Sequence, residues 1–106
     1  MKASLLTKLE TLTDRHEEVS ALLSDGETIA DQDRFRALSR EYAELEDVVR
    51  CYGLYSRVKS DLEEARQMLE DADPEVREMA REEAETGGER LAELELELQA
   101  LMLPRD

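Results

Sequence analysis

At 106 residues the chain has room for one domain, and folding at that size buries roughly two-thirds of the unfolded surface, enough for one slender core. Aromatic residues make up 4%, Trp is absent and charged residues reach 40%, the balance of long amphipathic helices with a narrow apolar seam. The net charge of −14 repels phosphate and anionic lipid headgroups alike, which argues against direct nucleic-acid binding and against a membrane surface, and directs attention to basic protein surfaces.

The pattern reads as three helices, and in chain order the first spans residues 4 to 23. Leu5, Leu9, Leu12, His16, Val19 and Leu23 are spaced 4, 3, 4, 3, 4, a coiled-coil seam. Ser4 is the expected N-cap. Residues 24 to 30 break the pattern as a linker, with Gly26 available for a positive φ and Ile29 expected to tuck back onto the core.

The second helix, residues 31 to 70, is expected to start on Asp31 as N-cap, with Asp33 complementing the positive helix end. Its seam reads Phe35, Leu38, Tyr42, Leu45, Val49, Tyr52, Tyr55, Val58, Leu62, Ala65 and Leu69. Three successive spacings of 3 around Gly53 amount to a phase slip, so a slight kink or change of packing partner is expected between Cys51 and Leu54 within a continuous helix. The single cysteine, Cys51, fits a half-buried packing position in a reducing cytosol.

A turn at residues 71 to 74 is marked by Asp73 as cap and Pro74 at the first helical position, and the third helix runs from 75 to 102. Its seam is Ala80, Ala84, Gly87, Leu91, Leu94, Leu98 and Leu101. Folding back at the turn places Tyr55 and Val58 opposite Gly87 and Leu91, small against large. A first helix of ~30 Å then covers one end of a hairpin whose longer arm reaches ~60 Å. The fold class read from these elements is all-α: a three-helix bundle with a long antiparallel coiled-coil hairpin.

No residue pattern carries catalysis, a cofactor or a metal. His16 lacks the Glu-x-x-His partner of a di-metal bundle, since Thr13 stands three before it, and reads as a packing or hydrogen-bonding residue. Asp31-x-Asp33 fails as a calcium loop because Phe35 takes the third ligand position. Glu85, Glu89, Glu93 and Glu97 form a column at i, i+4 spacing, read as a solvated face or as a ridge kept acidic for a basic partner. No apolar run approaches the length of a signal segment or a membrane span, which points to a cytoplasmic protein.

Four stretches together carry a family resemblance: Met1-Lys2-x-Ser4-x-x-x-Lys8-Leu9-Glu10, then Arg15-His16-Glu17-Glu18-Val19, then the run from Asp31 to Leu45 containing Arg34-Phe35-Arg36-Ala37-Leu38-Ser39, and Leu101-x-Leu103-Pro104-Arg105-Asp106. In order and spacing the chain resembles the N-terminal helical domain of bacterial class I peptide chain release factors, and is most similar to the member that reads UAA and UAG. The resemblance implies a docking role in translation termination, with the stalk base of the large ribosomal subunit as partner and a bearing on the class II release-factor GTPase. The Pro-x-Thr and Gly-Gly-Gln motifs of a complete factor do not occur; Gly87-Gly88 is followed by Glu89. The chain is therefore expected to be a domain of a longer factor, a monomer, with no release activity of its own. The resemblance assigns no individual contact residue. Gly53 and Gly87-Gly88 fall where the family tends to have helix formers, which implies a softer hairpin. The rival reading is a free-standing coiled-coil adaptor or chaperone-like protein, which would self-associate or bind clients.

Overall fold

A computed structural model describes residues 1–104. They form four helices, α1 (Ala3–Leu23), α2 (Gly26–Ala30), α3 (Gln32–Met68) and α4 (Pro74–Leu101), with no strand among the described residues. The all-α class follows. The chain divides into two compact units, Met1–Arg50 and Cys51–Asp106, with α3 contributing to both.

In the first unit, α1 buries Leu9 and Val19 from its expected seam. Its N-cap is Lys2, in extended conformation, and not Ser4, which lies inside the first turn. The Lys2 carbonyl accepts from the amides of Leu5 and Leu6 at 3.1 Å each, so the helix begins two residues earlier than a Ser4 cap allows.

The segment expected to be a linker contains α2. The Asp25 carboxylate accepts from the Glu27 amide at 3.2 Å, the N-cap bond that restarts a helix directly after α1 ends at Leu23. Gly26 is the first residue of this turn and adopts no positive φ. With this segment helical, adjacent side chains lie about 100° apart. Thr28 faces inward and is fully buried, while Ile29, the expected plug, is 54% exposed.

Asp31 caps α3 as expected, its carboxylate accepting from the Arg34 amide at 3.2 Å. The helix is continuous through Gly53. Its most buried positions include Leu38, Val48, Cys51, Tyr55, Leu62 and Ala65, whereas Phe35 and Leu69 at the two ends of the expected seam are exposed. The seam therefore runs through Val48 and Cys51 in place of Val49 and Tyr52. From Val48 through Val58 to Ala65 the spacing is 3, 4, 3, 4, 3, a regular coiled-coil repeat, so the phase change precedes Val48 and Gly53 sits on the outer face.

In the second unit α3 ends at Met68, two residues earlier than expected, because the amides of Leu69, Glu70 and Asp71 bond three residues back, to Arg66, Gln67 and Met68. Asp71 then accepts from the Asp73 amide and Asp73 from the Glu75 amide, both at 2.9 Å, with Pro74 in the first turn of α4. Arg77 reaches back to donate to the carbonyls of Asp71 and Ala72 at 2.8 and 3.1 Å. Across the hairpin Gly87 faces Leu62, not Val58: a Cβ on Gly87 would lie 3.4 Å from Leu62 Cδ1. The register is one helical turn further along α3 than expected. The turn itself advances the chain, through the tightened end of α3 and then the extended Asp73, before α4 starts back. Ala80, Leu94 and Leu98 of α4 are buried.

Candidate functional site

The residues singled out by the sequence do not converge on one centre. Among the described residues no group of three or more His, Cys, Asp or Glu side chains could hold a metal ion. Cys51 is buried, at 6% exposure, more deeply than the half-buried place expected for it. Asp31 serves as a helix cap, which occupies the carboxylate that a calcium loop would need. Glu85, Glu89, Glu93 and Glu97 are all exposed along α4, and Glu93 is paired with Arg90 at 3.2 Å. Arg105 and Asp106, from the closing stretch of the resemblance, lie outside the described residues.

Two of the stretches that carry the resemblance do meet, inside the first unit. Arg15 on α1 holds Glu41 on α3 through both oxygens, Nε to Oε2 at 2.6 Å and Nη2 to Oε1 at 2.7 Å, and its Nη1 also donates to Glu18 at 3.0 Å. One residue on, the His16 ring stacks on Tyr42 with centroids 4.5 Å apart and planes at 23°, while its Nε2 lies 2.9 Å from Glu46 Oε2. A planar guanidinium gripping a carboxylate by two parallel bonds fixes both rotation and register, which a point charge cannot do.

The electrostatics of this pair follow from the geometry. The Arg15 hydrogen bonds hold the Glu41 carboxyl below its usual range, with partial burial opposing and the Arg15 charge adding. Reciprocally, the Glu41 hydrogen bond raises the Arg15 guanidinium further, against the effect of burial. In the second unit, burial pushes the Tyr55 phenol above its ordinary value, helped by the charge of Glu95 and by Tyr52. Arg15 and Glu41 join α1 to α3, and Tyr55 is a buried residue of α3 at 4% exposure.

Sequence reasoning recognised Arg15-His16 only as part of a motif and His16 as a packing residue; it did not join them to Glu41, Tyr42 and Glu46. A signal was there. The first helix sets a basic residue beside its seam histidine, and the second sets acids at 41 and 46 around a seam tyrosine. What was missing was the register that brings position 15 to position 41.

No helix among the described residues is long and apolar enough to cross a membrane. The model of one protein family, the PCRF domain, matches residues 12–106. The match takes in the Arg15–Glu41 clamp, all of α2, α3 and α4, and most of α1.

Proposed function

The chain belongs to the PCRF domain family, a domain of class I release factors that serve translation termination, and from that membership we propose that it is the docking domain of a stop-codon-reading factor. The match over residues 12–106 is the observation that carries this reading. The ribosome is the partner, and the site of contact is the stalk base of the large subunit, where the domain orients the factor and bears on the class II release-factor GTPase. It works in the cytoplasm as a monomer. Its own part is binding and orientation: the 106 residues contain neither Pro-x-Thr nor Gly-Gly-Gln, and Arg15, Glu41 and His16 join helix to helix. The run Arg34-Phe35-Arg36-Ala37-Leu38-Ser39 favours a reader of UAA and UAG. A net charge of −14 fits a basic protein surface better than bare ribosomal RNA.

Co-sedimentation of the chain with ribosomes, intact or stripped of their stalk-base protein, tests the reading. Pelleting with the intact particles alone is the expected result, and equal pelleting with both overturns the stalk-base contact. Added to programmed termination complexes, the chain is expected to release no peptide; hydrolysis would remove the docking-only role. Sedimentation equilibrium distinguishes the expected monomer from a self-associating adaptor.

A further inference from the structure

The second half of α3 and α4 enclose an open groove of about 700 Å³, lined by residues of the second unit. Its apolar lining is half-buried Val58 and exposed Met68, with Leu62 and Ala65, at 3% and 2% exposure, forming the covered bottom, and on the α4 side it meets bare backbone at Gly87. Met68, 48% exposed, closes one end. The rim is acidic: Asp61 and Glu64 stand on α3 and Glu82 and Glu83 on α4, against the single Arg90. Arg90 is already taken by Glu93, and among the described residues none of the four rim carboxylates has an ion-pair partner.

An apolar floor under an unneutralised acidic rim selects one kind of occupant. A second copy of this chain would bring another net charge of −14 to the contact. A phosphate-bearing ligand meets the same repulsion. From Val58 to Met68 the floor follows about three turns of α3, or ~15 Å, and apolar side chains at i, i+3, i+4 and i+7 of a docked helix span about 10 Å. We propose that this groove binds a cationic amphipathic helix of a partner protein, with apolar side chains seated against Val58 and Met68 and over Gly87 and with Lys or Arg residues facing Asp61, Glu64, Glu82 and Glu83. The site stands on the geometry of the second unit alone and holds whether or not the domain docks on ribosomes.

The probe is a fluorescein-labelled helical peptide of leucine, alanine and lysine with leucines at i, i+3, i+4 and i+7, titrated into the intact chain at low salt and read by anisotropy. Saturable binding is expected, weakened about tenfold when the leucines become serines and by a similar factor in the exposed double variant Glu82→Lys with Glu83→Lys. Amide shifts in the ¹⁵N spectrum of the unmodified chain are expected to centre on Leu62 and Gly87. Gly87→Ala, whose Cβ would make an ordinary contact with Leu62, is expected to keep the fold and the binding, whereas Gly87→Leu fills the groove and abolishes binding. Equal affinity for the serine peptide, or shifts confined to α1, overturns the proposal. Both of those comparisons use the unmodified chain, so they decide the matter even if a variant fails to fold.

Discussion

Thr28 is the one described residue whose buried side-chain oxygen has no hydrogen-bond partner, and it sits at 0% exposure in the short helix α2. A desolvated hydroxyl left without a partner costs on the order of 1–3 kcal/mol, and a methyl of nearly the same shape removes that cost. Thr28→Val is therefore expected to raise the urea midpoint, with a gain of about 1 kcal/mol; a lowered midpoint would show that the hydroxyl is hydrogen-bonded in solution. The Arg15–Glu41 pair makes the opposite case, a polar contact whose geometry is complete. Because the folded Glu41 carboxyl is held below its ordinary value, its contribution is fully present above the unfolded value and is lost as pH falls through the folded one. Glu41→Gln should melt below the unmodified chain near neutral pH. As pH falls from neutral through the ordinary carboxylate range and below it, the two melting temperatures should converge, and a gap that stays constant would assign Glu41 a role independent of its charge.

At the scale of the elements, the hairpin turn is a relay of local bonds, Asp71 to the Asp73 amide, Asp73 to the Glu75 amide, and Arg77 back to two carbonyls. Removing the cap with Asp73→Ala should cost about 1 kcal/mol, read as a lower melting temperature and faster amide exchange in the first turn of α4. Gly88 stands mid-helix with nothing within 4 Å of the position a Cβ would take, so Gly88→Ala should gain about 1 kcal/mol through helix propensity alone. Helix identity and the caps at Asp31 and Asp73 were legible in the sequence, because apolar period and capping chemistry are local. Ser4 and Ile29 were misread for a related reason. A cap residue and a turn residue look alike without knowledge of the backbone, and Asp25 turns out to start a helix where a linker was expected. The seam through Val48 and Cys51, and Leu62 facing Gly87, depend on how far a turn advances the chain. The same missing register hid the clamp of Arg15 on Glu41, whose residue types were in plain view. The groove was hidden further still, since its floor reads as ordinary seam and only the space beside Gly87 sets it apart.

For the molecule as a whole, the dominant field is its own negative charge. Residues 1 to 53 hold 7 basic and 12 acidic side chains, a balance of −5, and residues 54 to 106 hold 7 and 16, a balance of −9. Glu85, Glu89, Glu93 and Glu97 concentrate part of that excess on an exposed face of α4, and each neighbouring pair at i, i+4 costs roughly 0.2–0.5 kcal/mol. Together with the longer-range repulsion that makes about 1 kcal/mol which salt can screen, since the Debye length falls from about 30 Å at 0.01 M to about 8 Å at 0.15 M. The melting temperature should accordingly rise by about 4–8 °C over that range. Glu89→Lys turns two of the repulsive pairs into attractive ones, so it should raise the low-salt melting temperature and flatten the salt response. If the unmodified chain melts at the same temperature in both salts, the ridge is no more than a solvated face. Binding to a basic partner runs the other way, because the same screening that relieves the free domain weakens the attraction between the two surfaces. Stability that rises with salt while affinity for a cationic helix falls is thus the joint signature of acid retained for recognition, and only the two measured on the same chain separate that role from simple solvation.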